Sequence, residues 1–84
     1  MASHDVKVHV RYFAWLRESA GLTAELVETG AGSPAELWRE LDARHGFDAD
    51  TQRLRVAVND AFAPWDQPLS DGDRVVFIPP VSGG

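Results

Sequence analysis

Cysteine is absent from this chain, which excludes disulfides, thiolate metal sites and a cysteine nucleophile. Histidine is scarce, and His4, His9 and His45 have no spacing that resembles a metal site. The five serines stand in no nucleophile motif, and Asp71 and Asp73 around Gly72 lack the further ligands of a calcium loop. No apolar run is long enough to span a bilayer, and Met1 to Asp5 is short and polar with no hydrophobic region behind it. A cytoplasmic protein is the expectation. Cations are also few. Eight Lys and Arg against 13 Asp and Glu give a net charge of -5, which argues against nucleic acid and favours a protein partner with a basic surface. What remains is 84 residues, 44% hydrophobic and 25% charged: one small soluble domain with no independent active site expected.

Val6, Val8, Val10 and Tyr12 alternate with Lys7, His9, Arg11 and Phe13, the period of a half-buried strand with its valines inward. Ala14 to Ala20 reads as a short helical turn closed by Gly21. Leu22, Ala24 and Leu26 alternate with Thr23 and Glu25, predicting a second strand that returns along the first. The main helix comes next. Ser33 is its N-cap, Pro34 its first position and Glu36 the third member of a capping box, with Leu37, Trp38, Leu41 and His45 as its apolar stripe and Gly46 as its stop. Glu40 and Arg44 are spaced to pair on its wet side.

Phe47 to Arg53 reads as a polar, acidic loop. Arg55 to Val58 is a short strand, Asn59-Asp60 a turn, and Ala61 to Trp65 its returning partner. After dense turn chemistry over 68–73, Arg74 to Ile78 forms a nearly continuous apolar strand of the kind that sits centrally in a sheet. The order is strand, strand, helix, then two or three strands. That predicts an α+β pair of layers, a mixed sheet of about five strands with one main helix across it. A β-grasp (ubiquitin-like) arrangement is expected, with the first and last strands adjacent.

The last six residues form a separate unit, an extended tail over 79–84 of an otherwise single domain. Pro79-Pro80 cannot donate to a sheet ladder, and the pair stiffens the peptide beyond it. Val81 offers an apolar anchor, Ser82 a small polar link, and Gly83-Gly84 no Cβ at all. From Pro79 outward this peptide spans roughly 20 Å at full extension. A glycyl carboxylate at its tip is sterically open to activation and to attack by a nucleophile.

These motifs carry a resemblance. The run from Val8 to Glu18, the Ala57-Val58-Asn59 strand end, the Pro68-Leu69-Ser70-Asp71-Gly72-Asp73 turn and the ending Val76-Phe77-Ile78-Pro79-Pro80-Val81-Ser82-Gly83-Gly84 resemble, in order and spacing, the MoaD family of sulfur carriers, the small subunits of molybdopterin synthase. The ending is its most specific part.

The resemblance implies a β-grasp fold and a donor role without catalytic side chains. An adenylyltransferase resembling ubiquitin-activating enzymes would use ATP to adenylate Gly84, and a sulfur donor protein would convert the adenylate to a thiocarboxylate. The large synthase subunit would then take the tail and place the sulfur in the dithiolene of molybdopterin. No cofactor, metal, nucleic acid or membrane is implied for the carrier itself, and a heterotetramer of two small and two large subunits is.

Phe13, Phe62 and Ile78 match the family's contact with its large subunit. Alternation already turns Phe13 away from the core valines and Ile78 away from Phe77. With the first and last strands adjacent, the three would form one exposed apolar patch beside the tail. Two other roles share the adenylation step: a carrier for thiazole, amino-acid or tRNA thiolation, and a ubiquitin-like modifier of lysines. Pro79-Pro80 before the glycines favours the synthase subunit.

Overall fold

The computed structural model describes residues 5–47 and 51–80. Its elements are β1 (Val6–Tyr12), α1 (Trp15–Ala20), β2 (Ala24–Thr29), α2 (Pro34–His45), β3 (Arg55–Val58), β4 (Ala61–Phe62) and β5 (Arg74–Ile78). The five strands form one mixed sheet in the order β2-β1-β5-β3-β4. β1 and β5 are parallel neighbours, paired from His9 with Arg74 to Tyr12 with Phe77. All other pairings are antiparallel. This is the β-grasp arrangement expected from the element order.

Helix α2 begins where Ser33 Oγ accepts the Glu36 N–H at 3.4 Å, with Pro34 in the first turn. The capping box closes one residue earlier than its usual form, because the Glu36 carboxylate accepts from the N–H of Gly32 at 2.8 Å. Gly46 ends the helix at φ 67°, a left-handed position that glycine occupies without a Cβ penalty. Leu37, Trp38 and Leu41 face the sheet and pack with Val8, Val10, Tyr12, Val56, Val75 and Phe77. Arg44 and Glu40 pair at 3.6 Å as their spacing predicts.

The packing sets the phase of β2 and corrects two expectations. In β2 the inward residues are Val27 and Thr29, while Leu26 is 59% exposed and Leu22 and Ala24 face solvent. The phase set by the Leu22-Ala24-Leu26 alternation is therefore the outward one. Phe47 is not a loop residue in the solvated sense. It is buried and stacks on Trp38 with ring centroids 5.0 Å apart. β4 is also shorter than the expected 61–65 return.

A polar cluster ties β2 to the end of α2. The Tyr12 hydroxyl donates to Glu25 Oε2 at 2.5 Å, His45 Nε2 lies 2.9 Å from the same oxygen, and Arg44 is 3.7 Å from Oε1. Burial raises the Glu25 pKa, but the hydrogen bonds with Tyr12 and His45 and the charges of His45 and Arg44 outweigh it, holding the carboxyl below its ordinary value. The unfolded chain therefore binds the proton first as pH falls. The stabilisation from Glu25 is complete above its unfolded value and is lost as pH drops through the folded one. Urea midpoints measured downward from about pH 4.5 are expected to fall less steeply in Glu25→Gln than in the native protein. Equal slopes would remove Glu25 from the acid response.

Candidate functional site: the open face of the sheet

Helix α2 covers one face of the sheet and leaves the other open. β5 divides its side chains accordingly: Val75 and Phe77 are buried, whereas Val76 and Ile78 are only partly covered. Register then assembles the open face from segments far apart in sequence. Ala24, Arg11, Val76, Ala57 and Phe62 fall in one row across all five strands. In the adjacent row Ile78 stands opposite Arg55, and Phe13 comes directly after the end of β1.

Phe13, Phe62 and Ile78, the three residues expected to form an apolar patch, line one shallow depression of about 340 Å³ with Arg11, Ala57, Asp60 and Val76. Phe62 is 68% exposed and Phe13 44%, so neither belongs to the core. Exposure on this scale for two phenylalanines that line one depression marks a surface meant to be covered.

Local backbone geometry holds the rim. Asn59 and Asp60 both have positive φ, 53° and 74°, in the tight β3–β4 turn that brings Phe62 back beside Ala57. Ala14 turns the chain out of β1 at φ 56° and ψ −134°, a region costly for any residue with a Cβ. That turn sends the chain into α1 immediately after Phe13.

The Asp-Gly-Asp segment is turn architecture, as its spacing predicts. Asp73 accepts from the Ser70 N–H and from Asn59 Nδ2, and Asp71 accepts from the Lys7 N–H at 2.8 Å. No group of three His, Cys, Asp or Glu side chains suited to a metal occurs among the described residues. Among them there is also no helix long and apolar enough to cross a membrane. Trp38 is core and Trp65 lies parallel to Phe77 at 6.1 Å, which explains both without a ligand, while Trp15 stays exposed.

β5 hands the chain to Pro79, which is buried, and then to the exposed Pro80. Val81, Ser82, Gly83 and Gly84, expected to form the reactive end of the tail, lie outside the described residues. Sequence reasoning singles out the three apolar residues of the open face but not Arg11, Arg55, Ala57 and Val76 between them. Alternation marks Arg11 as outward. Only the strand register reveals that it stands beside Val76.

Comparison with known proteins bears on this geometry. The ThiS family model matches residues 10–84. The molybdopterin synthase sulfur carrier subunit of Mycobacterium tuberculosis is 40% identical over 82 residues, covering 94% of this chain and 99% of that protein. Among solved structures, a putative molybdopterin converting factor subunit 1 from Pyrococcus furiosus superposes with a TM-score of 0.78 at 36% identity, covering 90% and 99% of the two chains. A chain of the complex between subunits 1 and 2 of molybdopterin-converting factor from Helicobacter pylori matches with a TM-score of 0.66 at 28% identity, covering 94% and 100%. Matched from the middle of its first strand through Gly83 and Gly84, the chain belongs to the ThiS family.

Proposed function

We propose that this protein is the sulfur carrier subunit of a molybdopterin synthase, a donor without catalytic side chains of its own. The observation that carries the reading is the open apolar depression around Phe13, Phe62 and Ile78, beside which β5 releases the chain at Pro79-Pro80. A surface for docking and the strand end that leads to the tail thus lie together. Relatives named for this role along nearly their whole length add support.

In the proposed cycle the Gly84 carboxylate attacks the α-phosphate of ATP on an activating enzyme, forming an acyl-adenylate and releasing pyrophosphate. A persulfide on a donor protein attacks the acyl carbon and expels AMP, and a second thiol then cleaves the S–S bond of the acyl disulfide, leaving the thiocarboxylate and a disulfide. The large subunit then receives the tail; the thiocarboxylate sulfur bonds to the pterin precursor, and water cleaves the resulting thioester, returning Gly84 as a carboxylate. Gly83 and Gly84 leave the carbonyl unshielded at each step. The chain has no cysteine, and none is required, because the sulfur is carried on the main-chain carbonyl carbon.

Incubation with the activating enzyme, ATP and the sulfur donor is expected to raise the intact mass by one oxygen-to-sulfur exchange. Fragmentation should place that change at Gly84. An unchanged mass with all partners active would end the carrier reading. An isopeptide adduct on a lysine would point to a modifier instead.

A further inference from the structure

The net charge of -5 hides an uneven distribution. Lys7, His9 and Arg11 leave β1 on the open face, Arg55 leaves β3 and Arg74 leaves β5. Lys7, Arg11, Arg55 and Arg74 are half of the chain's eight lysines and arginines. The strands place one carboxylate on this face, Glu28, which stands opposite Lys7 in the β1–β2 register. Asp60 at the rim is already paired with Arg74 at 2.7 Å. The face left open by α2 is therefore cationic on an acidic protein.

Of these four cations only Arg74 makes an ion pair among the described residues. Among the described residues neither Arg11 nor Arg55 makes an ion pair. Both border the apolar depression. Arg11 lines it next to Val76, and the Arg55 guanidinium lies 5.7 Å from the centre of the Phe62 ring, opposite Ile78 in the register. Any protein seated on Phe13, Phe62 and Ile78 thus takes water from two guanidinium groups as well. A cation desolvated without a counter-charge is strongly unfavourable, so the covering surface has to supply acceptors. Arginine's planar fork is suited to carboxylates in particular.

We infer that the protein surface covering the open face is apolar at its centre and carries Asp or Glu carboxylates opposite Arg11 and Arg55. The inference rests on the carrier reading, in which that surface belongs to the large synthase subunit. It reverses, for this face, the partner charge that the overall balance favours. The two arginines act as orienting contacts. They speed encounter with an acidic cleft and fix the angle at which the tail is offered, while the phenylalanines supply the apolar burial.

The test compares native protein with Arg11→Glu and Arg55→Glu for binding to the large subunit of the same organism, in about 0.05 M and about 0.5 M salt, where screening lengths differ several-fold. Both side chains are exposed, and unchanged thermal midpoints check that the fold is intact. Arg11→Gln and Arg55→Gln keep polarity without charge and are expected to show intermediate losses. Native affinity should fall with salt. Each reversal should weaken binding about tenfold or more at low salt and flatten the salt dependence. Tight native binding that ignores both salt and the reversals would overturn the inference, leaving the arginine stems as packing with their heads in water. That outcome leaves the carrier reading standing, whereas native protein that fails to bind the large subunit at either salt overturns both.

Discussion

A chain shortened by Gly84 is expected to fold as the native protein does and to deliver no sulfur. The core ends upstream: Phe77 is its last member, and Pro79 is the last buried residue described. Removing Gly84 therefore takes away no member of the described core. It does move the carboxylate back by about 3.3–3.6 Å along an extended chain. Displacement of a reacting atom by even about 1 Å can cost on the order of 100-fold in rate. Sulfur transfer to the pterin precursor should drop by at least that factor, and a chain extended beyond Gly84 should fail similarly. Thermal midpoints and large-subunit affinity serve as controls. Near-native turnover by the shortened chain would refute the assignment of Gly84 as the acyl carrier.

Phe77→Ala is expected to unfold the domain. Phe77 is fully buried on the central strand, between Tyr12 and Val56 in the register. Its ring meets Trp38 edge-on at 5.0 Å and lies parallel to Trp65 at 6.1 Å. Truncating a buried Phe typically costs about 3–5 kcal/mol. That is a large part of the roughly 5–15 kcal/mol available to a natural domain, and a chain this short sits toward the low end. Urea titration should show the midpoint collapsing toward zero denaturant. Ile78→Ala, one residue on but facing outward, should cost much less. Equal losses from the two variants would contradict the division of β5 into a buried and an open face.

Much of this division is legible in the sequence. Each of β1, α2 and β5 combines a clear apolar pattern with unambiguous ends: valines at every second position of β1, Ser33-Pro34 and Gly46 around the helix, and an unbroken apolar run stopped by prolines after Ile78. β2 is harder to phase because Leu22 and Leu26 are the larger apolar residues there, yet they are left in solvent while Val27 and Thr29 turn inward. Thr29 is tolerable inside because its hydroxyl donates to Glu40 and accepts from the Ala31 N–H. Phe47 comes after the helix stop among polar neighbours, and no local period marks it as core. Phe13, Phe62 and Ile78 are reached by alternation and resemblance. The arginines between them become functional candidates only through pairings between strands remote in sequence, which no local pattern encodes.

The position of β5 has a consequence for the order of assembly. It is the last strand among the described residues, yet it occupies the middle of the sheet, flanked by β1 on one side and β3 on the other. Until it inserts, β2 with β1 and β3 with β4 are separate halves, and closing them spans nearly the whole chain, a slow and non-local event. The peptide leading to Pro79 and Pro80 is thus fixed in place by the same step that completes the sheet. A nascent or damaged chain without a seated β5 has neither the open-face row through Val76 nor a strand end from which to extend the tail. Folding itself works as a licence, so that partners which read this surface engage only finished molecules.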